Sequence, residues 1–588
     1  MIKQSISMNY EDKGILATDI VLKWTTWQNI REPALSLWDE VNEYIHATDT
    51  SMLEGGNFFD NRTHFPIVAE IYEDLQAIME STLFPHEDWL GWKGYDLEGA
   101  NNEKKRKILS YLKHIHRLNG FKKTAVKLID DVLRTGNCFG MVGFDKAGED
   151  VPSDYTGPSS TRISPYDIVF DPTVSTFAET PKIVREIKSV GAFKDWTSNL
   201  KHILDFDEDV VERVLNRRGT NGAANDVGNT HKNREYIPAG FGTIEEYYNS
   251  GSMEVLWFYG SIYDENTQEI HHNRMITIVD RDTVLFDVEE TGERIFKGSW
   301  KERSNSLWAQ GPLEPIVGMN YMINQHANSK SDAISRFAIP DRVYTGDVEE
   351  IYDEVTGQTK YLAPEGGNVT DISPDSTVLT YNNEIGLYTQ FMRRGARLPE
   401  QIAGFRTAGE KTATEINSLE QGAFRGFIRK AGQFEQDVLE PMVTAEIQVA
   451  KDNFESVMKV LEEDEEGILT VLDITEEDLE ANGKIVPEGA RRFARNLQHQ
   501  SGLNQIANSA LGQMTAKHLD TWNLAQAISD IYGFDDFKLY EKFKAISEAV
   551  EEQKITTMAQ QQVAQDSAEP TSAELELEAE DENTQVPQ

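Results

Sequence analysis

The chain of 588 residues has one cysteine, Cys138. That excludes an internal disulfide and any all-cysteine zinc site, and it fits a reducing compartment. No apolar run is long enough to cross a bilayer, so no membrane span is expected. The opening MIKQSISMNYEDKG carries no apolar core of the kind that marks a secretory leader, and none is expected. Cations are scarce: 57 Lys and Arg stand against 99 Asp and Glu, a formal net charge of −42. A typical nucleic-acid binder gathers cations against phosphate, whereas this surface repels phosphate over most of its extent. From Ile555 onward there is no Lys or Arg, and the tail carries eight acids counting from Asp566. Such a stretch has too little apolar surface to offset the entropy of ordering and is expected to be disordered.

Apolar content is ample. Hydrophobic residues make up 39% of the chain, with ten Trp and 26 Phe to fill cores. The length suggests two to four structural units. Residues 1 to about 60 hold short helical patterns, with Trp24, Trp27, Trp38, Phe58 and Phe59 read as exposed, on an arm that could order against a neighbour. Residues 66 to 135 read as helical, with Ile67, Ile71, Leu75 and Ile78 on one face and Ile108, Leu112, Ile115 and Leu118 on another. From Asn137 the period shifts towards two. Further strands are expected around Asp167–Phe170, Met253–Tyr259 and Arg274–Val284. Asn216–Ile237, rich in Asn, Gly and Arg, reads as a surface loop. The whole reads as α+β.

Asn305–Leu419 is the most informative stretch. Leu313, Ile316, Val317, Ile323, Ala327, Ile334 and Phe337 recur at helical spacing up to Pro340, which ends the helix. Residues 341 to 384 hold ten acids and two bases. Val343, Tyr344, Val348, Ile351, Tyr361, Val369, Ile372, Val378 and Leu379 can build a small sheet there. A second helix is expected from Glu384 to Arg397, with breaks at Pro399 and Gly404. A third runs from Thr412 to Lys451, kinked at Pro441. Leu469–Pro487 returns to short strands, and Glu488–Glu551 reads as mostly helical.

Four motifs carry a resemblance: TGNCFGMVGFD (Thr135–Asp145), ISPYDIVFDPTV (Ile163–Val174), LWAQGPLEPIVGMNYMINQ (Leu307–Gln325) and GFRTAGEKTATEI (Gly404–Ile416). In that order, bracketing about half of the chain, they resemble the portal proteins of tailed double-stranded DNA bacteriophages, especially a short-tailed type. The resemblance implies an α+β portal fold assembled as a ring, usually of twelve subunits, at one capsid vertex. It implies an N-terminal arm (1–60), a wing (61–304), a first stem helix (305–340), a clip (341–383) and a second stem helix (384–398). A tunnel loop (399–411), a long kinked helix returning to the wing (412–487), a helical crown (488–554) and the acidic tail (555–588) complete it.

Site residues follow from the same resemblance. Arg397, Gly404, Arg406, Gly409 and Lys411 are candidates to face the DNA channel. Asp347, Glu349, Glu350, Asp353 and Glu354 are candidates for the clip surface that meets the motor and later the neck. Leu313, Ile316, Ile323, Ile334 and Phe337 are stem positions. The implied partners are further copies of the chain, the terminase large subunit, major capsid and scaffolding proteins, neck or tail adaptors, and duplex DNA passing non-specifically. The implied localisation is the virion's portal vertex, after assembly in the host cytoplasm. The charge then has two readings, solubility or a mostly acidic conduit wall along which a duplex slides.

No enzyme chemistry stands out, and no catalytic residue, cofactor or metal is expected. GFRTAGEKT resembles a phosphate-binding P-loop, which would make the chain an enzyme, the packaging ATPase or its nuclease. However, Glu410 separates Gly409 from Lys411, displaces the lysine and puts a carboxylate where phosphate belongs. The basic run from Glu103 to Lys123 reads as a solvated helix face, a nucleic-acid patch, or a surface for an acidic neighbour in a ring. His114 and His116, two apart, lie on different sides of a helix without a cysteine, and His271-His272 is no better placed for a metal. Trp308 reads as an aromatic anchor ahead of the stem helix. A capsid or neck component without a channel is a third reading.

Overall fold

After a two-residue strand, β1 (Ile2–Lys3), the chain forms a 33-residue helix, α1 (Lys13–Ile45). The computed structural model describes residues 2–3, 13–46, 63–85, 89–95, 101–146, 155–200, 208–216, 226, 229–237, 242–249, 251–264, 268–290, 292–338, 341–353, 358–362, 366–372, 378, 380–398, 426–454, 458–463, 469–479 and 483–491. They belong to one unit, Met1–Ala494. A second, Arg495–Gln588, holds most of the expected crown and the whole tail and lies outside the described residues.

The fold is mixed α+β. Helices α2 (Ile67–Leu83), α3 (Asn102–Asn119) and α4 (Phe121–Thr135) precede strands β3 (Asn137–Asp145) and β4 (Gly157–Ile163). Asn101 caps α3 by accepting from the Glu103 N–H, and Gly120 ends it in a left-handed conformation. The 66–135 stretch is not wholly helical: β2 (Leu90–Gly94) lies within it and pairs antiparallel with β19 (Gly483–Pro487). Strand β10 (Ile295–Ser299) completes a three-stranded sheet, order β10-β3-β4.

A six-stranded antiparallel sheet runs β1-β9-β8-β7-β6-β5, from β5 (Ile168–Phe170), β6 (Lys182–Ser189), β7 (Ser252–Asp264), β8 (Glu269–Val279) and β9 (Thr283–Glu290). The strand expected over Arg274–Val284 is therefore two strands. Asp280 and Arg281 take positive φ between them, which turns the chain. One face of the sheet packs against α1 through Leu16, Ile20 and Trp24. The other packs against α5 (Val190–Leu200) and α6 (Glu208–Asn216) through Phe193, Val210, Val211 and Val214. Trp24 and Trp38, expected to be exposed, are among the largest fully buried side chains. Within its own unit α1 is a core element, not an arm. Phe58 and Phe59 lie outside the described residues.

The expected loop over Asn216–Ile237 holds a short helix, α7 (Asn229–Tyr236), followed by α8 (Ile244–Asn249). Charge rather than apolar surface docks α7. His231 bridges Asp39 and Glu32 of α1, Lys232 reaches Asp167 at 2.8 Å, and Asp226 accepts from Trp24, Gln28 and Arg281. Two opposed charges, Arg185 and Asp226, sit 3.4 Å apart in the same buried cluster.

Later elements are β11 (Lys301–Arg303), β12 (Ser306–Gln310), α9 (Glu314–Ala338), a β-rich insert, α10 (Tyr381–Gly395), a helical stretch over 426–434 and α11 (Glu440–Asp452). At Pro441, where a kink was expected, a π-helical turn (Glu435–Leu439) precedes the proline. A residue without an N–H cannot close the regular ladder, and a wider turn absorbs the gap. Glu435 in that turn is buried and accepts from the Ala490 N–H at 2.7 Å. Burial pushes its carboxyl up to about 7. The strands β17 (Met458–Glu463) and β18 (Leu469–Ile474) pair before β19.

Candidate functional site

The candidate site is the helical hairpin of α9 and α10 with the insert between them. Its base is sunk in the largest core. Leu313, just before α9, and Ile316 and Ile323 within it are fully buried there, beside Met392 of α10, Leu398, and Phe427 and Val438 from the segment after residue 425. Beyond the base the apolar residues come to the surface. Ile334 is 47% exposed and Phe337 37% exposed, with Leu387 also exposed, while Tyr321 and Phe391 are exposed beside the buried base itself. The five expected stem positions thus divide: three lie in the core and two face outward.

One stripe of α9 is polar yet buried. Asn320, Asn324 and Asn328 recur every fourth residue and are all fully buried. Asn328 accepts from the Thr63 N–H at 2.8 Å and donates to the Thr63 carbonyl at 3.2 Å, and Asn324 accepts from the Phe65 N–H at 2.9 Å. Four residues of helix rise about 6 Å and two of extended chain rise almost 7 Å, so the two ladders keep step. Pro66, which has no N–H, ends the extended run before the level of Asn320. Both amide atoms of Asn320 are left without a hydrogen-bond partner among the described residues.

Side chains fasten α10 to its surroundings. Arg393 is buried and pairs with Glu70 at 2.9 Å and Asp74 at 3.5 Å on α2. His326 of α9 stacks on Tyr388 with ring centroids 5.9 Å apart and lies 3.6 Å from Glu384. Lys330 donates to Asn382 at 2.8 Å. The chain leaves α10 through Arg397, an exposed residue with φ of 62°. Nearby, Lys430 donates to the Trp300 carbonyl and stacks over that ring. Burial, with the charges of Arg397 and Arg429, holds the Lys430 ammonium below its usual range.

The insert forms two separate two-stranded ribbons instead of the single small sheet expected. β13 (Asp341–Thr345) pairs with β16 (Asn368–Ile372), and β14 (Glu349–Asp353) pairs with β15 (Gln358–Leu362). Two strands alone bury too little to be stable by themselves. Val343, Tyr344, Ile351, Tyr352, Leu362 and Ile372 are all exposed. Contacts across the ribbons are local: Arg342 lies 4.5 Å over the Tyr361 ring, and Tyr344 donates to Glu350 at 3.0 Å.

Beneath the hairpin, three of the four sequence motifs meet. Gly136 of the first has φ of 77°, and a Cβ there would lie 2.4 Å from the Gly311 nitrogen of the third. Beside it, Asn137 accepts from the Ala309 N–H at 2.9 Å and donates to the Ala309 carbonyl at 3.4 Å. Phe170 of the second stacks on Trp308 at 4.4 Å. Arg31 of α1 donates to the Pro165, Tyr166 and Ile168 carbonyls at 2.7, 3.1 and 2.5 Å and lies over Trp308. Trp308 is thus an anchor, as its sequence context suggested.

Gly404, Arg406, Gly409 and Lys411 lie outside the described residues, and so does Glu354. Asp347, Glu349 and Glu350 are exposed on the insert, and Asp353 closes β14 opposite Gln358. Arg31, Arg393 and the asparagine stripe were missed. Only the stripe left a sequence signal, in its four-residue spacing. Among the described residues no group of three or more His, Cys, Asp or Glu is arranged to hold a metal ion, and no helix is long and apolar enough to cross a membrane. The chain matches no model of a known protein family, and no curated protein matches it.

Proposed function

We propose that this protein is a portal subunit: one of about twelve copies in a ring at a capsid vertex, through which duplex DNA is packaged and later ejected. The observation that carries the reading is the division of the α9–α10 hairpin, buried at its base and apolar but uncovered towards its tip. The exposed Ile334, Phe337, Leu387 and Phe391, with two ribbons that cannot stabilise themselves, are what a hairpin completed by further copies presents. The motif resemblance supports it, since three of its four motifs build the base on which the hairpin stands.

In this reading α9 and α10 are the stem, and the ribbons are the clip. Its exposed Asp347, Glu349 and Glu350 meet the terminase motor and afterwards the neck. Arg397 stands at the root of the tunnel loop, and Arg406 and Lys411 touch backbone phosphate weakly within it. The ring catalyses no reaction of its own. It assembles in the host cytoplasm with scaffolding and major capsid proteins and ends at the portal vertex of the virion.

End-on electron microscopy of the purified protein tests this. Closed rings with a central hole wide enough for a duplex are expected, whereas particles without rotational symmetry or a channel contradict the reading. The channel contact has its own test in heads assembled with Arg406→Glu and Lys411→Glu together. Normal ring incorporation with shortened or leaking DNA is expected. Full-length, stably held DNA would remove these side chains from the duplex path.

A further inference from the structure

The strongest charge anomaly lies on α3 and the start of α4. Between Asn101 and Lys127 there are nine Lys and Arg and one acid, in a chain of net charge −42. The apolar side of α3, Ile108, Tyr111, Leu112 and Ile115, is buried, so the cations are held on the outer side. Several are used within the chain: Lys107 pairs with Asp478 at 3.0 Å, Lys104 donates to the Glu477 carbonyl at 3.5 Å, and Arg106, Lys113 and Arg117 also have partners. Lys105, Lys122, Lys123 and Lys127 are exposed and make no ion pair among the described residues. A cationic face of this size in so acidic a protein costs self-repulsion unless something anionic covers it.

An anionic face stands on a different layer of the unit. α3 packs on β4, and β4 pairs with β3. Phe139 of β3 shares a core with Ile168, Phe170 and Val184 of β5 and β6. The large sheet then runs β5 to β9, about 20 Å across, and α6 packs on β9. Its outward residues include Glu208, Asp209 and Glu212 beside one cation, Arg213, all exposed. The cationic face thus lies on α3 and α4, and the acidic one on α6, which covers one face of the large sheet across β7, β8 and β9.

We infer that the cationic α3–α4 face docks on the acidic α6 face of a second copy, and that this is the head-to-tail contact that carries the chain round a ring. The inference rests on the ring reading and names the contact within it. A twofold contact would set like charge against like, whereas a head-to-tail contact sets each face against its complement, and repetition of it closes a cycle. Complementary charge also steers copies together and rejects the reverse orientation.

Compensating charge reversal in the full-length protein tests it, with assembly followed by sedimentation. Lys122→Glu, Lys123→Glu and Lys127→Glu together should raise the concentration for half-assembly at least about tenfold, as several juxtaposed like charges do. Glu208→Lys, Asp209→Lys and Glu212→Lys together should do the same, and the six changes combined should restore assembly. Wild-type assembly should weaken as salt rises towards about 0.5 M. The milder Lys→Gln triple, with circular dichroism, separates lost contact from lost fold, and it should still weaken assembly. A wild type that never assembles removes the ring reading and this contact with it. A wild type that assembles while both reversed triples assemble equally well overturns the contact alone. So does a lysine triple that loses affinity for duplex DNA, or that melts at lower temperature, while assembling normally.

Discussion

The motif hub under the hairpin and the hairpin's outer end are built on opposite terms. At the hub the chain satisfies itself. Arg31 finds three carbonyls, Asn137 closes a two-way bond with Ala309, and Trp38 and Phe139 are fully buried around Trp308. At the outer end, Ile334 and Phe337 face out, and each ribbon has a single ladder. A side chain satisfied within its own chain reports on folding, and an uncovered apolar one reports on assembly. Damage to the hub should therefore unfold the monomer, whereas damage to the outer end should leave the monomer intact.

The largest expected effect is at Arg31. Replacing it with Ala strips the donor from three carbonyls and leaves a buried turn unsatisfied, at a cost of about 4 kcal/mol. Denaturant unfolding of the isolated chain measures this, and a loss below about 1 kcal/mol would mean that water replaces the guanidinium. Gly136→Ala comes next, at about 3 kcal/mol, because the backbone is left-handed there and the new methyl would strike the Gly311 backbone. A variant as stable as wild type would show that the two motifs do not meet so closely.

How far this contrast could be read from sequence depends on what holds each part. α9 was legible because 25 residues repeat one apolar spacing. β7 was legible as a short run of apolar and aromatic residues, Val255–Tyr259. β2 was not, because five residues without a partner in view carry no signal, and the partner, β19, lies near the far end of the unit. α7 was read as a loop because apolar periodicity cannot see a helix docked by charge. Asp226 joins Trp24 across 202 residues and Gln28 across 198, and such pairings leave no local trace. The burial of Trp24 and Trp38 was missed for the same reason. The outer end was read as helix and strand, but its exposure is a property of three dimensions.

A smaller effect sharpens the comparison within the self-satisfied part. Burial alone would lower the His231 pKa, but hydrogen bonds and charge from Asp39 and Glu32 outweigh it and hold the imidazolium above its ordinary range. A group whose folded pKa is raised stabilises fully below its unfolded value, about 6.5, and loses that contribution as pH rises through the folded value. Stability should therefore fall as pH rises from about 6.5 through the raised folded value, and His231→Gln should flatten the fall while costing about 2 kcal/mol at pH 6. An unchanged pH profile in this variant would mean that the imidazolium does not hold α7 on α1.

The smallest effect on folding, and the most direct test of the account, is at the hairpin's outer end. Ile334→Ser with Phe337→Ser should change the stability of the single chain by only about 1 kcal/mol, since both side chains are already partly in water. The deciding measurement is the native mass of wild type and of this double variant side by side. Wild type should give one closed species near twelve times the 66.5 kDa of a single chain, with the variant shifted to monomer at the same concentration. A monomeric wild type, or a variant that assembles as well as wild type, would contradict the claim that the exposed end of the hairpin is completed by further copies.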